Sequence, residues 1–267
     1  MKYLILGSRS YLGNSFSHYL EDNMIHSLNL NEINSNFYST NILKNFILEY
    51  NPHKIVDFKF PIVTSNDDDF KEIDLKNLLK TQENFIEAIN SIPTNKSDIY
   101  LISSANIYSR KNIYTTYKKN QEDYYKQFLY KKNKLNIIRL ENVLGQGDTN
   151  KNRLVPYFFC KVLEDRQIKI EIHPRKKGKY QFLEESNKYI LNYTLNQKSM
   201  KKEFSITYKD LINRFSSILI YEFDYYHKVF WNNKILIAKH LDKRDKTNQY
   251  LIKVTSWYLN NRDIISK

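Results

Sequence analysis

The sequence predicts an α/β protein with a doubly wound parallel sheet, and three features of the chain support this prediction. Short apolar runs alternate with segments whose apolar residues recur at helical spacing, as in strand–helix–strand units. The first apolar run ends at Gly7, and Gly13 lies where a helical pattern begins. The chain lacks the closely spaced turn signals of a hairpin-rich β protein. We therefore expect strands joined by crossover helices.

The predicted elements follow this alternation along the chain. Apolar runs predict strands at 1–7, 24–28, 98–104, 135–140 and 168–172, and one more within 52–61. Helical spacing predicts helices that end near 20 and that span 40–50, 68–92, 114–132, 154–163, 208–215 and 249–259. We expect a dinucleotide-binding domain over 1–145. A smaller substrate-binding portion over 146–267, partly interleaved with the first, should cap the carboxyl ends of the strands.

Length and composition restrict the class of protein. A chain of 267 residues, 41% hydrophobic and 15% aromatic, is long enough to bury a large core. The opening apolar run is too short for a signal peptide, and no stretch approaches the roughly eighteen apolar residues of a membrane span. We therefore expect a cytoplasmic protein with no membrane partner. The single cysteine, Cys160, lies among apolar residues and is predicted to be a core thiol, and no metal site is predicted.

The net charge of +13 raises the possibility of a nucleic-acid-binding protein, because basic surfaces attract phosphate backbones. The lysines, however, are spread over the whole chain, and no nucleic-acid-binding motif accompanies them. We therefore do not expect nucleic acid as a partner, and strong salt-dependent retention on DNA or RNA would overturn this. The charge suits an anionic ligand such as a nucleotide diphosphate.

The turn between Gly7 and Gly13 is the first candidate site. Gly7 permits a tight turn after the strand, and Gly13 permits close contact between helix and strand. The helix N-terminus between them offers backbone N–H groups to a pyrophosphate. The segment resembles the Gly-x-x-Gly-x-x-Gly turn of extended short-chain dehydrogenases, with Ser10 at the middle glycine. The resemblance implies a dinucleotide-binding Rossmann domain whose cofactor contacts include Gly7, Arg9, Ser10, Tyr11, Leu12 and Gly13.

The second candidate site combines Ser104, at the end of an apolar strand, with Tyr114 and Lys118 at the start of a helix. A tyrosine with a reference pKa of about 10 is a weak base at neutral pH, so a nearby ammonium must favour its phenolate. Residues four apart lie on one face of a helix, and a strand-end serine can hydrogen-bond a reacting oxygen. The Tyr-x-x-x-Lys spacing alone is unspecific, since it also occurs at Tyr50 and at Tyr157.

The order of strand, serine, tyrosine and lysine resembles the active site of the short-chain dehydrogenase/reductase superfamily. A second motif, Arg139-Leu-Glu-Asn-Val-Leu-Gly-Gln-Gly-Asp148, resembles a segment of its nucleotide-sugar epimerases and reductases. This resemblance implies that Asn142 contacts the substrate. In relatives this part of the chain carries an arginine that binds the nucleotide diphosphate, and here Tyr180 takes its position. Arg175 or Lys179 could bind the diphosphate instead, or both could belong to a solvated basic turn.

The cofactor implied by the resemblance is NADP, with NAD as the alternative. No carboxylate lies near Asn29, the position expected to meet the ribose, and Glu32 comes late. Arg9 stands where some relatives hold the 2′-phosphate, and Lys118 would contact the cofactor ribose as well as the tyrosine. Ala105 and Asn106 replace the acidic pair of the dehydratases, which disfavours dehydration.

The leading hypothesis is therefore an NAD(P)-dependent epimerase or ketoreductase that acts on a nucleotide-linked sugar. The sequence leaves open whether the protein forms a homodimer. The alternative is a catalytically silent relative that binds a nucleotide or a protein partner. Four departures from the family pattern favour that alternative, together with a loop of only nine residues between Ser104 and Tyr114: Ser10, Lys59, Phe60 and Tyr180.

Overall fold

A computed structural model describes residues 1–30, 39–59, 72–108, 112–165, 167–173 and 175–265 of the protein. These residues form two compact units. The first unit comprises Met1–Glu141 and Ser186–Lys201, and the second comprises Asn142–Glu185 and Lys202–Lys267. The chain thus leaves the first unit after residue 141 and returns to it for one helical segment.

The strands and helices alternate through most of the described chain. The strands are β1 Tyr3–Leu6, β2 Ser27–Asn29, β3 Lys54–Asp57, β4 Asp98–Ser104, β5 Leu135–Leu140, β6 Asn142–Leu144, β7 Gln167–Ile170, β8 Lys177–Phe182, β9 Phe204–Thr207, β10 Lys228–Trp231 and β11 Lys234–Ile235. The helices are α1 Tyr11–Asp22, α2 Thr40–Tyr50, α3 Glu72–Asn90, α4 Ile113–Phe128, α5 Leu154–Asp165, α6 Leu183–Thr194, α7 Tyr208–Phe223, α8 Lys246–Asn260 and α9 Arg262–Ile265. None of these helices is long and apolar enough to cross a bilayer.

The first unit contains a five-stranded sheet in which every pair of neighbours is parallel. Its strand order is β2-β1-β3-β4-β5, and the central strands β1, β3 and β4 are almost fully buried. Helices flank this sheet, so the predicted α/β class with a parallel sheet is confirmed. The order reverses between β1 and β3, and in such sheets ligands bind at the carboxyl ends of the strands beside that reversal.

The structure corrects several predicted bounds. The second strand begins at Ser27 rather than Met24, because α1 continues to Asp22 and Met24 has a positive φ of 55° in the turn that follows. Helix α4 ends at Phe128, since Leu129 has left the helical region. Helix α7 extends beyond the predicted 215 to Phe223, and α8 begins at Lys246, where Asp245 caps it.

The second unit contains two small three-stranded sheets, ordered β11-β10-β7 and β6-β8-β9. Helices α5, α7 and α8 supply much of its hydrophobic core, which includes the stacked rings of Phe159 and Tyr258. Cys160 belongs to this core and is buried, so the predicted core thiol is confirmed. Strands β8 and β9, and strands β10 and β11, form antiparallel pairs that the sequence interpretation did not include.

Candidate functional site

The turn after β1 has the geometry that the sequence predicted for its two glycines. Gly7 has a φ of 77°, and a Cβ added to it would lie 2.7 Å from the backbone nitrogen of Lys59. A Cβ on Gly13 would collide with the carbonyl oxygen of Gly7. Ser10 is the N-cap of α1, and its hydroxyl accepts a hydrogen bond of 3.1 Å from the Gly13 N–H. Both glycines are thus required by close backbone contacts at the reversal point of the sheet.

The other predicted cofactor residues surround this turn. Arg9 is exposed, whereas Tyr11 and Leu12 in the first turn of α1 are partly buried. Asn29 is the last residue of β2, and its Oδ1 lies 2.8 Å from the hydroxyl oxygen of Ser17 on α1. The second strand therefore presents an amide, and not a carboxylate, at this place. Glu32 lies outside the described residues.

Ser104 ends β4 at the carboxyl edge of the parallel sheet. It is 5% exposed, and its Oγ accepts a 3.2 Å hydrogen bond from the backbone N–H of Asn106 in the short 3₁₀ turn that follows. The hydroxyl is therefore fixed by both the strand and the turn.

Tyr114 and Lys118 lie in the first two turns of α4. Asn112 caps this helix through a reciprocal pair of hydrogen bonds with Thr115, which defines where the helix begins. Tyr114 is partly buried, and Lys118 is only 5% exposed. The Lys118 Nζ donates to the carbonyl of Ile102 on β4 at 2.9 Å and to the Gln121 Oε1 at 3.2 Å. Lys118 is thereby attached to the strand that carries Ser104.

Burial lowers the pKa of the Lys118 ammonium from 10.5 to about 8, although the charges of Asp57 and Glu122 act in the opposite direction. An ammonium that is poorly hydrated and held against a strand differs from the solvated lysines elsewhere on this chain. The pKa of Lys118 therefore lies closer to neutral pH than the pKa of a solvated lysine.

Lys59, one of the four departures from the family pattern, packs its side chain against the core of the first unit. Its Nζ lies 3.6 Å from Asp57 and 4.7 Å from the centre of the Phe85 ring, and burial lowers its pKa. Asp57 also accepts a short hydrogen bond from the Tyr125 hydroxyl. The Lys59 ammonium is thus engaged by a buried carboxylate. Phe60 lies outside the described residues.

Glu122, one turn beyond Lys118, fixes α4 to β5. It is 1% exposed and forms two hydrogen bonds with the Arg139 guanidinium, at 2.9 and 2.5 Å. The guanidinium in turn lies 5.1 Å from the centre of the Tyr108 ring. This pair holds the helix that carries Tyr114 and Lys118 in register with the sheet.

The predicted substrate residues belong to the second unit. Asn142 begins β6, and its Nδ2 donates to the carbonyl of Lys179 on β8 at 2.8 Å. The Lys179 side chain forms an exposed ion pair with Glu203, and Arg175 is exposed in the loop before β8. Tyr180 is 7% exposed and stacks on Phe204, so this side chain contributes to the core. Asn142 and Lys179 thus meet at the β6–β8 contact.

A groove of about 510 Å³ lies in the second unit where β8, β9 and α7 meet the 239–241 segment. Four of its lining residues carry basic side chains: Lys177, Arg214, Lys239 and His240. Asp210 is the acidic residue of the lining. The groove therefore suits an anionic group, and the sequence interpretation did not identify it.

Sequence reasoning also missed Gln121 and Asp57, which are buried around Lys118 and Lys59. A local signal was present for each. Asp57 interrupts an otherwise apolar strand, and Gln121 follows Lys118 by three residues and so shares its helix face. Neither signal indicates a partner without the fold.

No known protein-family model matches the chain, and no curated protein matches its sequence. Solved structures match its fold closely. UDP-glucose 4-epimerase from Thermotoga maritima, solved with UDP-glucose, has a TM-score of 0.71 at 12% identity, with 98% of this chain and 100% of that chain covered. RMD from Pseudomonas aeruginosa, complexed with NADPH, has a TM-score of 0.75 at 10% identity, with coverage of 97% and 99%.

A third match is the capsular polysaccharide assembling protein CapF from Staphylococcus aureus. Its TM-score is 0.67 at 14% identity, and the match covers 97% of this chain but 66% of that chain, so the protein spans about two thirds of the length of CapF. At such low identities the likeness shows the fold alone. The protein therefore has the α/β fold of these solved structures, as its motifs implied.

Proposed function

We propose that the protein is an NADP-dependent epimerase or ketoreductase that acts on a nucleotide-linked sugar through Ser104, Tyr114 and Lys118. The observation that carries this proposal is the burial of Lys118. Lys118 follows Tyr114 by one helical turn on α4, and its ammonium is bonded to the strand that ends in Ser104. Burial of this ammonium costs free energy of folding through desolvation, and it lowers the pKa of Lys118 to about 8, which supports a role for the group in proton transfer.

The turn between β1 and α1 fits a dinucleotide. Gly7 and Gly13 keep the backbone free of side chains where a pyrophosphate approaches the N-terminus of α1, and the amide of Asn29 and the guanidinium of Arg9 suit a 2′-phosphate better than a free ribose diol. The cofactor, when bound, would supply a hydride as NADPH or take one up as NADP⁺. The same turn, Tyr11, Leu12 and Lys118 would hold it.

Tyr114, Lys118 and Ser104 then carry out the proton transfer to and from the reacting oxygen of the sugar. In reduction, the Tyr114 hydroxyl gives its proton to the carbonyl oxygen of the sugar, and in oxidation the phenolate takes the proton from the alcohol. The Lys118 ammonium favours the phenolate, and the Ser104 hydroxyl donates a hydrogen bond to the reacting oxygen. Oxidation followed by reduction on the opposite face gives epimerisation.

The basic groove of the second unit supports an anionic substrate. Lys177, Arg214, Lys239 and His240 suit an anionic group such as a diphosphate. Asn142, Arg175 and Lys179 of the same unit are further proposed substrate contacts. We propose a cytoplasmic location together with this function.

Turnover of keto-sugar nucleotides with NADPH by wild type and by Tyr114→Phe tests this function. The variant should lose at least about a thousandfold in kcat, since it lacks the transferable proton, while its NADPH affinity stays within a few-fold. Tyr117→Phe, on the same helix, is the matched control and should remain active. A Tyr114→Phe protein with most of its activity would refute the assignment, and Tyr117 would be the next residue to test.

A further inference from the structure

Gln121 connects Lys118 to the main chain that follows β3. Its Oε1 accepts a hydrogen bond from the Lys118 Nζ at 3.2 Å, and its Nε2 donates to the carbonyl of Lys59 at 3.2 Å. An ammonium can only donate and a carbonyl can only accept, so a single orientation of the amide satisfies both neighbours. Gln121 is 3% exposed, and water does not compete freely for these two bonds.

The carbonyl that receives this amide is itself fixed. The Asp57 Oδ1 accepts a 2.8 Å hydrogen bond from the backbone N–H of Lys59, and the Lys59 ammonium lies 3.6 Å from the same carboxylate. The Gln121 backbone is also held, because its carbonyl accepts a bond from the Gln82 Nε2 at 3.4 Å. A continuous set of buried contacts thus runs from β3 through Gln121 to Lys118.

The same main chain touches the glycine turn. A Cβ on Gly7 would lie 2.7 Å from the Lys59 nitrogen and 2.9 Å from the Phe58 carbonyl carbon. The segment that receives the Gln121 amide therefore also packs against the turn assigned to the cofactor.

We propose that Gln121 is a positioning residue that places the Lys118 ammonium between β4 and the end of β3 and stabilises its charged form there. The proposal rests on the proposed function for its catalytic meaning, because Lys118 serves Tyr114 in that reaction. It assigns Gln121 no contact with substrate. Loss of the amide oxygen should leave Lys118 in place with one acceptor fewer, and the ammonium would then lose its proton at lower pH.

The test follows the titration of Lys118 directly, by NMR of protein labelled with ¹³C at the lysine Cε, with the resonance assigned by its loss in Lys118→Met. Gln121→Met removes the acceptor at similar size and should lower the apparent pKa of Lys118 by about half a unit to one unit. Gln121→Glu replaces it by an anion and should raise that pKa above the wild-type value. Asn133→Leu, which removes a buried amide whose hydrogen bonds go to the carbonyls of Asn95 and Ser97, should leave it unchanged.

An unchanged Lys118 titration in both folded Gln121 variants would overturn the proposal. If Gln121→Met does not fold, the upward shift in Gln121→Glu decides alone. In turnover assays the alkaline decline of kcat should move with the Lys118 titration, while KM stays within about twofold. A protein that binds no NADPH but shows the titration shifts would keep the role of Gln121 at Lys118 and refute only the proposed function.

Discussion

Replacement of Lys118 by methionine should change how the stability of the protein depends on pH. Burial lowers the pKa of the Lys118 ammonium from 10.5 to about 8. Since the folded pKa lies below the unfolded one, the unfolded chain binds more protons between about pH 8 and 10.5. The free energy of unfolding of the wild type therefore rises with pH through that window because of this group. Methionine fills the same space without an ammonium and lacks this contribution.

The size of the effect follows from the two pKa values. A change from 10.5 to about 8 corresponds to a penalty of about 3 kcal/mol that is fully present below pH 8. Between pH 7 and pH 9.5, about 2 kcal/mol of this penalty disappears from the wild type, so its stability relative to Lys118→Met should rise by about that amount. The sign of the difference at pH 7 also depends on the two acceptors left unpaired, Ile102 and Gln121, whereas its change with pH does not.

Urea denaturation followed by circular dichroism, repeated at intervals from pH 7 to 9.5, measures the difference. Lys119→Met is the matched control, because Lys119 is the exposed neighbour of Lys118 on the same helix, and its curve should run parallel to that of the wild type. A difference between wild type and Lys118→Met that stays constant over this range would refute the account of Lys118 as a buried, desolvated ammonium.

Two further predictions concern the rest of the site. Glu122→Ala should lower the free energy of unfolding by about 2–4 kcal/mol, because it leaves the partly buried Arg139 guanidinium without its carboxylate partner. Asp123→Ala, at the exposed neighbour, should change the free energy of unfolding by less than about 0.5 kcal/mol. Thermal or urea unfolding compares the two variants, and equal effects would contradict a structural role for the Glu122–Arg139 ion pair. Lys239→Ala should weaken the binding of a nucleoside diphosphate several-fold in calorimetry and reduce the salt dependence of that binding. Lys228 is exposed outside the groove lining, and Lys228→Ala should leave the binding unchanged. Similar losses in both variants would indicate nonspecific attraction by charge.

The parallel sheet of the first unit was predictable because its signals are local. The run from Asp98 to Ser104 has an apolar centre, 99–102, between polar ends, so β4 was predicted with its observed bounds. The turn from Gly7 to Gly13 was predictable for the same reason, since glycine marks a close backbone approach. The position of Tyr114 and Lys118 on one helix followed from the helical pattern predicted over 114–132 together with their spacing.

Features that depend on distant partners were not predictable. The sequence does not reveal that Lys118 is buried, because its partner Ile102 belongs to another element. The direction of the Lys59 side chain depends on Asp57 and on the Phe85 ring of α3. Strand β8 was missed because its exposed lysines resemble a solvated turn, although Gly178 and Tyr180 alternate with them toward the core, a period-2 pattern that could have identified the strand.

Calorimetric titration of the protein with NADPH and NADH tests the central claim most directly. NADPH should bind with a single site, at least about tenfold more tightly than NADH, since a guanidinium–phosphate contact is worth about 1.5–3 kcal/mol, and Arg9→Ala should lose most of that preference. Gly13→Ala, whose Cβ would collide with the Gly7 carbonyl, should bind neither cofactor. Equal affinities for the two cofactors would remove Arg9 from the site. Absence of binding by either would contradict the proposed enzyme and favour a catalytically silent relative.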